Sequence, residues 1–148
     1  MEQQKYLTDR VDDQINWYDV RSSRNKRWFL RLKVLETVFA LLIPLLTGFI
    51  ISDTNTDPIK ITIGLLGVII AAITNLITLF KFQENWIQYR TMAELLKHEK
   101  FLFLNKAGPY KEGNSFSLFV ERVENYLSKE NAQWASYTKS KTEGHSKE

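Results

Sequence analysis

The sequence predicts an all-α protein. It reads as an integral membrane helical hairpin of two transmembrane helices, extended into a cytoplasmic helical bundle and assembled as a homo-oligomer. Two long apolar runs carry that prediction, together with amphipathic helical spacing on both sides of them and an uneven placement of basic residues around them. The mean hydropathy, −0.28, suits a water-soluble chain, but the apolar residues are concentrated rather than spread.

The second run is the cleaner one. Ile61 to Phe80 contains no charge, and Lys60 and Lys81 bracket it. At ~1.5 Å per residue it reaches ~30 Å, the thickness of a bilayer's hydrocarbon core. The first run, 34–52, is free of charge only from Thr37 to Ser52. Glu36 falls near one face, and Pro44 lies mid-span, where membrane helices tolerate it. A soluble domain of this length rarely hides such a stretch, apolar on all sides. With 33 polar residues of both charge signs ahead of them, neither run is expected to be a signal peptide.

The remaining elements follow in order. Residues 3–33 form one amphipathic helix, with Leu7, Val11, Ile15 and Tyr18 on one face. The link 53–60 is short and acidic. Residues 81–105 continue the second span, with a stripe of Phe82, Trp86, Tyr89, Ala93 and Leu96 at heptad-like spacing. Gly108-Pro109 and Gly113-Asn114 mark a turn. A last helix, 115–137, presents Phe116, Phe119, Val123, Tyr126 and Leu127, and Trp134 extends that face. Residues 138–148 are polar and read as a disordered tail, so 1–137 form a single domain. Most of the aromatic rings belong to the core of the bundle, and the surplus supplies assembly contacts.

Basic residues crowd the approach to the first span: Arg21, Arg24, Lys26, Arg27, Arg31 and Lys33. The positive-inside rule then places both termini in the cytoplasm. Trp28, Phe29, Phe82 and Trp86 fall at the inner interface. The same cluster serves topology alone or also attracts anionic lipid.

The residues exclude most chemistry. There is no cysteine, and His98 is the sole histidine outside the tail. That leaves no thiolate, no catalytic triad and no metal or cofactor site, so no enzyme is expected. Gly64 and Gly67 do not make a phosphate loop, because the Lys-Ser/Thr of that motif is missing. A net charge of +3 is too mild for a nucleic-acid binder.

The informative residues lie in the second span. Gly64, Gly67, Ala71, Asn75 and Thr78 recur at helical spacing, all small or polar. The stripe serves close helix packing, a water-filled path around an oligomer axis, or both. Glu36 is the sole acid within either apolar window. It either pairs with Lys81 or contributes to an acidic inner mouth, and Asp53 and Asp57 then form an outer one. Both acidic positions favour cations, monovalent or divalent.

Several residues together resemble a known family. They are Trp17-Tyr18, the two spans, the segment from Trp86 through Tyr89, Arg90, Glu94, Leu95 and Lys97 to Glu99, the Gly108-Pro109-Tyr110 turn, and Glu130 with Trp134. The set, over roughly 5–135, resembles the DUF4231 family of bacterial two-transmembrane proteins, part of the SLATT superfamily. The resemblance implies a membrane effector of bacterial conflict systems, in which a sensor or second-messenger module triggers pore formation. It carries no catalytic residues with it.

The expected function is therefore an oligomeric, cation-preferring channel or pore in the bacterial inner membrane. Two spans cannot enclose a path, so four to six subunits are expected, with the second span lining it. The alternative is a non-conducting scaffold that recruits a partner through its cytoplasmic helices.

Overall fold

The computed structural model describes residues 2–50, 57–111 and 115–144, and the side chains of these except 49, 50, 131 and 133–144. All its regular structure there is helical. The elements are α1 (Glu2–Tyr6), α2 (Asp13–Ile50), α3 (Asp57–Phe80), α4 (Phe82–Leu104) and α5 (Ser115–Gly144). A wide, π-type segment, Leu7–Asp12, joins α1 to α2, and a 3-10 turn, Gly108–Tyr110, lies between α4 and α5. Contacts divide the chain into two compact units, Met1–Asn16 with Met92–Glu148, and Trp17–Thr91.

The first unit holds most of the buried apolar side chains. Leu7 and Val11, Ala93, Leu96 and Phe103, and Phe119, Val123 and Leu127 come from its three helical stretches. Leu7, Val11 and Ile15 are spaced by two successive fours, which drift around an ordinary helix of 3.6 residues per turn. The wider turn at Leu7–Asp12 absorbs that drift and keeps all three inward. Phe103 stacks on Phe119 with centroids 4.4 Å apart, and Tyr110 and Tyr6 meet Phe119 edge-on.

The second unit is a helical hairpin. Arg90 with Asp19, Ser22 with the Trp86 carbonyl, and Glu36 with Thr74 fix an antiparallel register. On α2 the partly buried positions Phe29, Leu32, Glu36, Phe39, Ile43 and Leu46 alternate threes and fours. Ile63, Leu66, Ile70, Ile73 and Ile77 do the same on α3. Such spacing is the heptad pattern of helices that pack along one face. Away from it the helices stay open: Leu41, Leu45, Leu65 and Val68 are each at least 60% exposed. Among the described residues, one helical run, Asp57–Tyr110, is long and apolar enough to cross a membrane, with a window of mean hydropathy 2.4. The first expected span ends outside the described residues, at 51–52.

Three boundaries differ from expectation. Residues 57–60 of the expected link are the first turn of α3, where Asp57 pairs with Lys60 at 3.2 Å. An acid and a proline opening a helix explain the early start. The helix α5 runs through Gly144, past the expected end at 137, since neither Gly nor Pro interrupts 115–143. Lys81 breaks the helix between α3 and α4, with φ 48°.

The Lys81 break is stabilised locally. Asn85 Nδ2 donates to the Phe80 carbonyl at 3.0 Å, and Lys81 pairs with Glu84 at 3.3 Å. A left-handed residue with a Cβ costs roughly 1 kcal/mol that glycine avoids. Lys81→Gly is therefore expected to stabilise the hairpin by up to about 1 kcal/mol, read as a higher melting temperature in detergent.

Candidate functional site

The small and polar residues of α3 occupy one side of the helix, beside its seam. Gly64, Gly67, Ala71, Asn75 and Thr78 are all exposed. A Cβ built on Gly64 or Gly67 would meet nothing within 4 Å. Within one chain, then, these glycines do not serve close approach of α2, whose contacts are made by the branched seam residues. The Thr78 hydroxyl donates back to the Thr74 carbonyl at 2.9 Å. The Asn75 amide has no hydrogen-bond partner among the described residues. A shallow groove of about 560 Å³ runs past it, lined by Ala72, Asn75, Leu76, Thr78 and Leu79.

Glu36 sits at the edge of this face. Its carboxylate accepts from the Thr74 hydroxyl at 3.0 Å and from Lys33 Nζ at 3.1 Å. The expected pairing with Lys81 is absent, because Lys81 turns to Glu84. The register explains the difference. Glu36 lies level with Thr74, seven residues, or ~10 Å, deeper along α3 than Lys81. Glu36 and Lys81 thus lie about two helical turns apart. Asp57 is exposed at the other end of α3, and Asp53 lies outside the described residues.

A second polar cluster escaped the sequence reading. Glu99, 1% exposed, lies in the core of the first unit. It accepts from the Tyr110 hydroxyl, from Arg122 Nε and, at 3.3 Å, from Arg122 Nη2, with the Tyr126 hydroxyl at 3.4 Å. Burial pushes the Glu99 carboxyl up, but the Arg122 guanidinium and the Tyr110 hydroxyl outweigh it and hold it below the ordinary carboxylate range. Burial and the adjacent Glu99 push the Tyr110 hydroxyl up. The available signal was position: Glu99 follows Leu96 by three and precedes Phe103 by four on a stripe that is otherwise apolar or aromatic.

A neighbouring pair ties the chain's start to α5. Arg10 makes two parallel bonds to Glu124, both 3.0 Å, and the Tyr6 hydroxyl donates to the same carboxylate. Arg10 holds the Glu124 carboxyl low against its partial burial, and Tyr6 assists. Burial and Glu124 push the Tyr6 hydroxyl up. Glu99 and Glu124 therefore stabilise the fold above the ordinary carboxylate values, and lose that effect as pH falls through their depressed folded values. Tyr6 and Tyr110 act in the opposite sense, contributing below about pH 10 and failing as pH rises past it. Melting temperatures followed by circular dichroism are expected to hold steady between about pH 5 and 9 and to fall on both sides.

Among the described residues, no three His, Cys, Asp or Glu side chains group where they would hold a metal ion. No curated protein and no solved structure matches the chain. Residues 13–117 match the model of a family described as a protein of unknown function, DUF4231. That match takes in α2, α3, α4 and the turn bearing Tyr110, while Arg122 and Glu124 lie beyond it. With more than two thirds of its length matched, and with the hairpin and Glu99 inside the match, the chain belongs to the DUF4231 family.

Proposed function

We propose that the chain spans a membrane twice, through α2 and α3, and assembles as a homo-oligomer whose α3 helices line a cation-preferring path. The observation that carries this reading is the exposed face of α3. Its glycines have open space above them, and the Asn75 amide has no partner among the described residues. An amide in a bilayer faces protein or water, and α2 does not supply the protein. Further copies of the chain supply both the packing and an enclosed aqueous axis. The cations of α2 at 21–33 support an orientation with both termini on the cytoplasmic side of a bacterial inner membrane. In this reading Glu36 lies inside the cytoplasmic end of the path, and the acidic link lies at the outer end.

The test is planar-bilayer recording of the purified chain in asymmetric KCl. Discrete currents with a cation-selective reversal potential are expected. Asn75→Leu is expected to change the unit conductance severalfold while leaving the oligomer intact on size-exclusion chromatography. Silence from an inserted oligomer at all voltages overturns the reading. A scaffold that recruits a cytoplasmic partner then takes its place, favoured by Phe101 and Leu104, which are 65% and 53% exposed on α4.

A further inference from the structure

The cations of α2 divide into two sets. Lys33 pairs with Glu36, Lys26 lies over the Trp86 ring at 5.5 Å, and Arg21 lies over the Trp17 ring at 4.9 Å. Arg24, Arg27 and Arg31 are exposed and have no carboxylate partner among the described residues. The one hydrogen bond among the three is internal to the helix, from Arg27 Nε to the Ser23 carbonyl at 3.3 Å. The described acids of the same unit are already taken. Asp19 meets Arg90, Glu36 meets Lys33, Asp57 meets Lys60 and Glu84 meets Lys81. In the other unit Arg10, Lys97, Lys100 and Arg122 all have carboxylate partners. The three arginines are thus a local surplus of positive charge.

Their placement is equally specific. At 3.6 residues per turn they fall within about 60° of one another, opposite Ser22 and Phe29 on the packed side of α2. Trp28, half exposed, shares their side. Further along the same side come Leu35, Val38, Leu42 and Leu45, all exposed. One strip of α2 therefore passes from aliphatic to a tryptophan among arginines, the order met on crossing from acyl chains into headgroups.

We propose that Arg24, Arg27 and Arg31, with Trp28, bind the phosphate headgroups of anionic lipid. Guanidinium forks engage phosphate oxygens in pairs, which a lysine cannot do. Topology needs only the charge, so arginine-to-lysine replacement separates the two roles. The inference rests on the membrane reading above, and flotation of the chain with phosphatidylcholine vesicles checks that reading by itself.

The full chain in neutral detergent is titrated with phosphatidylglycerol, phosphatidylcholine or inorganic phosphate, and its melting temperature is followed. Phosphatidylglycerol alone is expected to raise it, less so at high salt. Each Arg→Gln change at 24, 27 or 31 is expected to weaken that effect about fivefold. The triple Arg→Lys variant is expected to float like wild type while binding phosphatidylglycerol more weakly. Flotation with equal responses to the two lipids, or an undiminished response in the triple Gln variant, overturns the inference alone. An equal response to inorganic phosphate overturns the lipid as its source. Failure to float overturns the membrane reading and the inference together.

Discussion

Glu99→Ala is expected to lower the stability of the first unit by about 2–4 kcal/mol, the largest loss from any single substitution proposed for that unit. The carboxylate is the acceptor for Tyr110 and for both donors of Arg122. Its removal strands the Tyr110 hydroxyl, 1% exposed, and leaves a guanidinium beside an apolar core. Losing one partner of a buried pair costs about 3–5 kcal/mol when the other charge is fully enclosed. Arg122 is 38% exposed, so water recovers part of that and sets the lower figure. Tyr110→Phe, which deletes one neutral donor, is expected to cost only about 1 kcal/mol. Pairing Glu99→Leu with Arg122→Met removes both charges and is expected to recover most of the loss. Denaturant titration of the detergent-solubilised chain, followed by circular dichroism, checks the order. A Glu99→Ala protein as stable as Tyr110→Phe would show that the network carries no such load.

The sequence made the helices legible but not the way they face. Leu7, Val11, Ile15 and Tyr18 were readable because polar residues separate them, and all four are buried. On α3 almost every position is aliphatic or small, so periodicity has no polar side to point against. The small stripe was visible there. Which side met α2 was decided by the fit of Ile63, Leu66, Ile70, Ile73 and Ile77 into the opposing seam. Depth was hidden for a similar reason. Counting from each run's own end set Glu36 level with Lys81, whereas the register between helices depends on packing and set it level with Thr74. The Lys81 break carried no glycine to announce it, and Asn85 caps it from four residues on. Arg122, which completes the Glu99 site, joins it only through the tertiary fold.

Replacing Gly64 and Gly67 together by leucine is expected to push the single chain and the assembly in opposite directions. Within one chain both positions are open, so the added side chains clash with nothing. Glycine inside a helix costs about 0.8–1 kcal/mol relative to a good helix former, so each replacement is expected to stabilise α3 slightly. If this face packs against further copies, the same side chains must be forced into a helix contact built for hydrogen atoms. Overpacking of that kind costs about 1–3 kcal/mol per site, more than the helix gains, and it recurs at every interface of a closed ring. The variant is therefore expected to melt no lower than wild type, yet to cross-link as a smaller species and to pass no current. Gly48→Leu, also open in the chain but on α2, is the control and is expected to leave assembly unchanged. Wild-type assembly and conductance in the double variant would place α3 away from the axis, and the glycines would then need another explanation. A chain that unfolds instead would mean that α2 approaches α3 more closely than the open space above the two glycines allows.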